Sequence, residues 1–108
     1  MQVKELDSLG LNVISLPNPE RVIEGVYIGD LLSWVMGKAT ENDAWITIMS
    51  NVNVVAVASL ADVSVIILAE DVTLDDDVRA LANDKGINVF TTPLSAYEIA
   101  TRLYNALK

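Results

Sequence analysis

The fold is decided by Ala44–Leu68, which reads AWITIMSNVNVVAVASLADVSVIIL. Its two ends, Ala44–Met49 and Val63–Leu68, are short apolar runs rich in β-branched residues, a pattern typical of buried strands. The middle, Asn51–Asp62, fits a strand by propensity or a helix by topology. Three consecutive strands would leave only about two residues for each turn, so we predict a helix here. The resulting strand–helix–strand unit favours a parallel sheet.

Before this unit, turn signals recur at regular intervals and no linker interrupts them. Apolar spacing and the turn residues Gly10, Pro17 and Pro19 divide the segment into four elements. The predicted elements are a helix over Val3–Leu9, strands over Asn12–Leu16 and Val22–Ile28, and a two-turn helix capped by Asp30 that ends near Gly37.

After the unit, the pattern predicts a helix, a strand and a last helix. Thr73 is predicted to cap a helix that begins at Leu74, carries acidic residues in its first turn and ends at Lys85-Gly86. The last strand is predicted over Ile87–Phe90. Ser95, with Glu98 three residues later, forms a capping-box pattern for a helix that runs to Ala106 or Leu107.

Strand centres near Ile46, Ile66 and Val89 recur about every 20 to 23 residues, which is the spacing of stacked strand–helix units. We therefore predict an α/β fold with a parallel or mostly parallel sheet and helices on both faces. A length of 108 residues is sufficient for one domain with one hydrophobic core, so residues 1–108 are expected to form a single domain.

The net charge excludes several partners. Seven Lys and Arg residues oppose fifteen Asp and Glu residues, and the formal net charge of −8 would repel nucleic acid and anionic lipid. No apolar run reaches the roughly 18 residues that a membrane span needs. The chain has no cysteine and no recognisable secretory signal, so we expect a cytoplasmic protein with neither nucleic acid nor membrane as partner.

Residues for catalysis are scarce. Without His or Cys the chain can form no Ser-His-Asp triad, no thiolate nucleophile and no usual zinc site. Gly25 and Gly29 match neither a phosphate loop nor the dinucleotide fingerprint. The acidic run Glu70–Asp77 lacks calcium-loop spacing and is better explained by the positive first turn of a helix. We therefore expect no metal, no cofactor and no enzyme activity.

Two surfaces are candidates for binding. In an open α/β sheet, ligands bind beyond the carboxyl ends of the strands. The rim residues predicted there are Gly29, Asp30, Ser50, Asn51, Thr91, Thr92 and Ser95. Helix N-termini at this rim could hold a nucleotide or small metabolite, but Asp30, Glu70 and Asp71 would oppose its phosphates, and plain capping is the favoured alternative.

The second surface is the short helix after Asp30, which is apolar on nearly all sides and would be unstable by itself. A second molecule that covers its apolar residues would explain how this helix is stable. The predicted interface residues of a homodimer are Leu31, Leu32, Trp34, Val35 and Met36. Trp45, by contrast, is expected in the core.

Four segments together resemble the DRTGG domain family, especially its short stand-alone members from clostridial and thermophilic bacteria. They are GVYIGDLLSWVM (25–36), NDAWITI (42–48), NVVAVASLADVSVIIL (53–68) and GINVFTTPLSAYEIATRLY (86–104). The resemblance implies a Rossmann-like three-layer α/β/α sandwich with about five strands, like the N-terminal domain of HPr kinase/phosphorylase. Related domains accompany CBS pairs in pyrophosphatases and precede the catalytic domain of some phosphotransacetylases, where they look regulatory or dimer-forming.

The name-giving motifs differ in this chain. Where relatives carry Gly-Asp-Arg it has Asn42-Asp43-Ala44, and where they carry Thr-Gly-Gly it has Ala69-Glu70-Asp71. Only Asp43 matches, so no role of the arginine or of the glycine pair is carried over. The serine-kinase label of some relatives does not apply, because the kinase's phosphate loop belongs to another domain and none is present here.

Two functions follow as hypotheses. The first is a non-catalytic regulatory or assembly module that homodimerises and modulates a partner enzyme. The alternative is a small-ligand sensor that binds a nucleotide or metabolite at the rim.

Overall fold

A computed structural model describes residues 1–108. The chain opens with a 3-10 helix, Val3–Leu9, and continues with five strands and four α-helices. The strands are β1 (Asn12–Ser15), β2 (Gly25–Ile28), β3 (Asp43–Thr47), β4 (Val65–Leu68) and β5 (Val89–Thr91). The helices are α1 (Leu32–Lys38), α2 (Asn53–Ala61), α3 (Asp76–Asp84) and α4 (Ala96–Leu107).

The strands form one sheet in the order β1-β5-β4-β3-β2. β2 to β5 run parallel, and β1 joins β5 antiparallel. Helices α1, α2 and α3 bury side chains on one face of the sheet, while the 3-10 helix and α4 bury theirs on the other. This confirms the predicted three-layer α/β/α architecture with five mostly parallel strands.

Side-chain alternation along the central strands divides the core into two halves. Trp45 and Ile66 face α1, α2 and α3, whereas Ile46 and Ile67 face α4. All residues of β3 and β4 are buried. Strands covered on both faces have no polar side, which explains why their sequences read as continuous apolar runs.

The ambiguous segment after β3 is a helix, as predicted. α2 spans Asn53–Ala61 and buries Val54, Val55, Val57 and Ala58 against the sheet. Three of these four residues are β-branched and have modest helix propensity. The burial of their side chains by the parallel crossover outweighs that preference.

Two predicted caps are wrong. α1 begins at Leu32 after Leu31 as N-cap, and the carboxylate of Asp30 turns away to β3. α3 begins at Asp76 after Asp75, so Thr73 is not its cap. The chain before Asp75 is held across the end of β5, where the Thr91 hydroxyl donates to the Val72 carbonyl at 2.6 Å.

Strand β2 also begins later than predicted, at Gly25 instead of Val22, because Val22 forms only an isolated antiparallel bridge with Gln2. Other end signals are confirmed. Gly10 and Gly86 adopt φ values of +88° and +74°, as residues that end helices commonly do. α4, at 12 residues, is the longest helix, and no helix combines the length and apolar character that a membrane crossing requires.

Candidate functional surfaces

The predicted rim lies where the carboxyl ends of β2 to β5 meet. At β2, Asp30 Oδ1 accepts from the Thr47 hydroxyl at 2.8 Å and from the Ile48 N–H at 3.0 Å. The Gly29 carbonyl accepts from Trp45 Nε1 at 2.9 Å, which satisfies the only polar atom of a fully buried side chain. These bonds tie the end of β2 to β3.

The rim residues after β5 are also engaged within the chain. Thr92 is fully buried, and its hydroxyl donates to the Gly10 carbonyl and accepts from the Leu94 N–H. Ser95 and Glu98 form the predicted capping box at the start of α4. The Asn51 side chain accepts from the Asn53 N–H at 2.9 Å, in the turn that leads into α2.

The rim therefore offers little to a ligand. Among its predicted side chains only Ser50, which is half-buried, makes no hydrogen bond within the chain. The charges there are the exposed carboxylates of Asp30, Glu70 and Asp71. None of the four grooves on the molecule is lined by a predicted rim residue. No three carboxylates anywhere on the chain are grouped so that they could hold a metal ion.

Helix α1 divides its apolar residues between the core and the surface. Val35 is fully buried and Leu32 packs against the same core, so these two predicted interface residues face the protein's own interior. The remaining three are exposed: Leu31 by 59%, Trp34 by 58% and Met36 by 44%. Leu31, Trp34 and Met36 are called the α1 surface below.

A groove between β2 and α4 was not predicted from the sequence. It has a volume of about 450 Å³ and is called the β2–α4 groove. Its lining consists of Gly25, Val26, Ile28, Ala100, Tyr104, Leu107 and Lys108. Ile28 and Tyr104 are 52% and 66% exposed. The only local signal was Tyr97 and Tyr104, seven residues apart on one side of an amphipathic helix and both exposed.

A second unpredicted groove, of about 350 Å³, lies between α2 and α3. Val52 and Leu60 line it and are 51% and 72% exposed. Lys85 adds one positive charge. No binding surface on α2 was predicted from the sequence.

Comparison with known proteins identifies relatives by family and by fold. Residues 9–106 match the DRTGG domain. No curated protein matches the chain. A similar solved structure contains the CBS and DRTGG domains of the regulatory region of Clostridium perfringens pyrophosphatase, complexed with its activator, diadenosine tetraphosphate. It shares 22% identity, with a TM-score of 0.69 over 93% of this chain, and the chain spans 44% of that structure.

The backbone of this chain is left-handed at the three positions where the resemblance implies glycines in relatives. Asn42, at the first motif's glycine position, has φ +67°, and Glu70 and Asp71, at the glycine pair, have φ +60° and +64°. These are left-handed values that glycine adopts without strain. Asp43, the matching residue, is buried and accepts from the Thr40 N–H at 2.8 Å and the Thr40 hydroxyl at 3.1 Å.

The match over residues 9–106 and the shared fold lead to one conclusion: the chain belongs to the DRTGG domain family.

Proposed function

We propose that this chain is a non-catalytic regulatory or assembly module of the cytoplasm that homodimerises and modulates a partner enzyme. Membership of a family whose relative lies in the regulatory region of a pyrophosphatase supports a regulatory role. The absence of His and Cys from the sequence supports a role without catalysis.

The observation that carries the proposal is the α1 surface. A helix of only seven residues has little stability in isolation, yet it holds Leu31, Trp34 and Met36 in water. Aromatic residues and methionine are enriched at protein interfaces. The cation beside them is Lys38, whose Nζ lies 4.8 Å from the centre of the Trp34 ring.

The test is the mass of the protein in solution at micromolar concentration, for the wild type and for Trp34→Glu. We expect a dimer for the wild type and a monomer for the variant, because a carboxylate would be buried where an aromatic anchor was. Leu60→Glu is the matched control, since Leu60 is also apolar and exposed, by 72%, but lies on α2. A monomeric wild type contradicts the proposal.

A second candidate function, an adenine-nucleotide sensor, is favoured by one observation: the similar pyrophosphatase region is complexed with diadenosine tetraphosphate. Under this proposal the nucleotide binds at the rim beside Ser50. Its phosphates would have to tolerate Asp30, Glu70 and Asp71, so affinity would rest on helix N-termini.

Thermal-shift measurements with ATP, AMP and diadenosine tetraphosphate test the sensor. A ligand at about 100 times its dissociation constant stabilises the folded state by about 2.7 kcal/mol, which a melting curve resolves. Ser50→Asp should abolish the shift in melting temperature, while Ser59→Asp, at an exposed position of α2, should preserve it. No shift at millimolar nucleotide would remove this candidate.

A further inference from the structure

The two edge strands of the sheet, β1 and β2, differ in how easily another strand could pair with them. β1 carries a register irregularity between Val13 and Ser15, and Arg79 Nε donates to the Ile14 carbonyl at 2.9 Å. Both features hinder the addition of another strand. β2 pairs with β3 in regular register and contains no charge and no proline. Its outer side is a regular edge of the kind that another strand can extend.

The backbone of β2 has groups available on that side. The Glu24 N–H donates to the Asn42 carbonyl, toward β3. Because successive residues of a strand direct their N–H and C=O groups to opposite sides, those of Gly25 and Tyr27 point away from β3. The β2–α4 groove runs beside this edge, with Val26 and Ile28 as its strand residues.

The geometry points to a second copy of this chain as the occupant: β2 pairs antiparallel with the β2 of the copy, which joins the two sheets. This inference rests on the proposed homodimer and specifies where its two-fold axis passes. A two-fold axis normal to the sheet keeps each helical layer on its own side. Centred on Tyr27, it places Val26 opposite Ile28 of the copy.

Surface area supports this occupant. Five apolar side chains on β2, on α1, which follows β2 in the chain, and on α4, which contacts β2, are 44–66% exposed: Ile28, Leu31, Trp34, Met36 and Tyr104. Each side chain exposes on the order of 100 Å² of apolar area, so the five together supply about 500 Å². A stable interface of standard size buries about 800 Å² per partner, of which roughly 450–520 Å² is apolar.

Charge limits where two copies can meet. Each copy carries a net charge of −8, and the exposed carboxylates of Glu24 and Asp30, which flank β2, come opposite each other across an axis centred on Tyr27 and oppose the pairing at both of its ends. Between these two positions β2 itself carries no charge. The β2–α4 groove has one lysine and no acidic residue in its lining. α1 likewise contains Lys38 and no acidic residue. The acidic run Glu70–Asp77 lies after β4 and at the start of α3, away from β2 in the strand order.

The test compares the two edges of the sheet. Ile28→Lys places like charges beside the two-fold axis, while Val13→Lys makes the same change on β1, where Val13 is 49% exposed. We expect Ile28→Lys to raise the dimer dissociation constant at least about thirtyfold and Val13→Lys to leave it unchanged. Melting curves of both variants check that they fold.

A cross-link tests the register. The chain has no cysteine, so the double variant Val26→Cys/Ile28→Cys can form intermolecular disulfides only through the introduced residues. Opposite residues of this kind lie about 4.5 Å apart between Cα atoms, within the roughly 4.4–6.8 Å that a disulfide spans. We expect a covalent dimer on a non-reducing gel, and no such dimer for Val13→Cys.

The outcomes separate this inference from the proposed function. A monomeric wild type overturns both. A wild-type dimer that survives Ile28→Lys, forms no cross-link and is lost in Trp34→Glu overturns strand pairing and leaves dimerisation through the α1 surface standing.

Discussion

At the scale of single residues, Glu70 has the most unfavourable backbone. Four residues other than glycine have positive φ, namely Asn42, Asp62, Glu70 and Asp71. Asn and Asp adopt this left-handed region several-fold more often than other side chains, and Glu does not share that tolerance. Glu70 is held there because its N–H donates to the Leu94 carbonyl and the Asp71 N–H donates to the Thr92 carbonyl, both at 2.9 Å.

Glu70→Gly is therefore expected to stabilise the protein. Relief of left-handed strain is worth about 1–2 kcal/mol, and the greater freedom of glycine in the unfolded chain offsets about 0.4–1 kcal/mol, so the free energy of unfolding should rise by about 0.5–1 kcal/mol. Urea unfolding at neutral pH measures the change. Glu70→Ala is the control, because it removes the same charge without relieving the backbone, and an equal gain in Glu70→Ala would contradict the explanation.

At the scale of elements, the start of α4 depends on Ser95. The Ser95 hydroxyl accepts from the Glu98 N–H at 3.2 Å, and the Glu98 carboxylate accepts from the Ser95 N–H at 3.3 Å. α4 buries Ile99 and Leu103 and forms one wall of the β2–α4 groove. The capping of one helix end thus supports both half of the core and a proposed interface.

Ser95→Ala should lower the free energy of unfolding by about 1 kcal/mol, the usual effect of losing an N-cap side chain. Denaturant unfolding measures it. Ser59→Ala, at an exposed position inside α2, should raise stability slightly because alanine is the better helix former. Equal losses in the two variants would show that Ser95 does not act as a cap.

The elements also show what a single sequence can predict. α2 and the buried strands were predictable because apolar patterning and crossover topology agreed. The role of Asp30 was not predictable: it bonds to Thr47 and Ile48 instead of capping α1, and these partners lie 17 and 18 residues away along the chain. Local capping rules do not include such partners.

The same limit applies to the candidate sites. The predicted rim residues other than Ser50 are used for internal hydrogen bonds that only the folded chain reveals. The β2–α4 groove joins residues near positions 26 and 104, and no local pattern connects them. The exposed α1 surface was partly predictable, because a short helix that is apolar on all sides indicates contact with a second molecule. That Val35 is buried could be known only from the position of the sheet.

At the scale of the whole molecule, charge governs association. Each chain carries a net charge of −8, and the proposed contact is apolar. Long-range repulsion between copies should therefore oppose the dimer most at low salt.

The dimer dissociation constant is expected to fall as sodium chloride rises from about 0.01 M to about 1 M, over which the Debye length shrinks from about 30 Å to about 3 Å. Sedimentation equilibrium across this range measures the trend. The reverse trend would indicate a contact held by ion pairs and would contradict an apolar interface.

The pairing of β1 with β5 has a consequence for biosynthesis. β1 leaves the ribosome early, but its only sheet partner begins at Val89, and the 3-10 helix packs in the same core cluster as α4. At about 5–20 residues per second, the nascent chain spends several seconds with one flank of β4 and the apolar side of its first segment uncovered. Chaperone contact during translation should therefore concentrate on the N-terminal segment and end only when β5 and α4 have emerged.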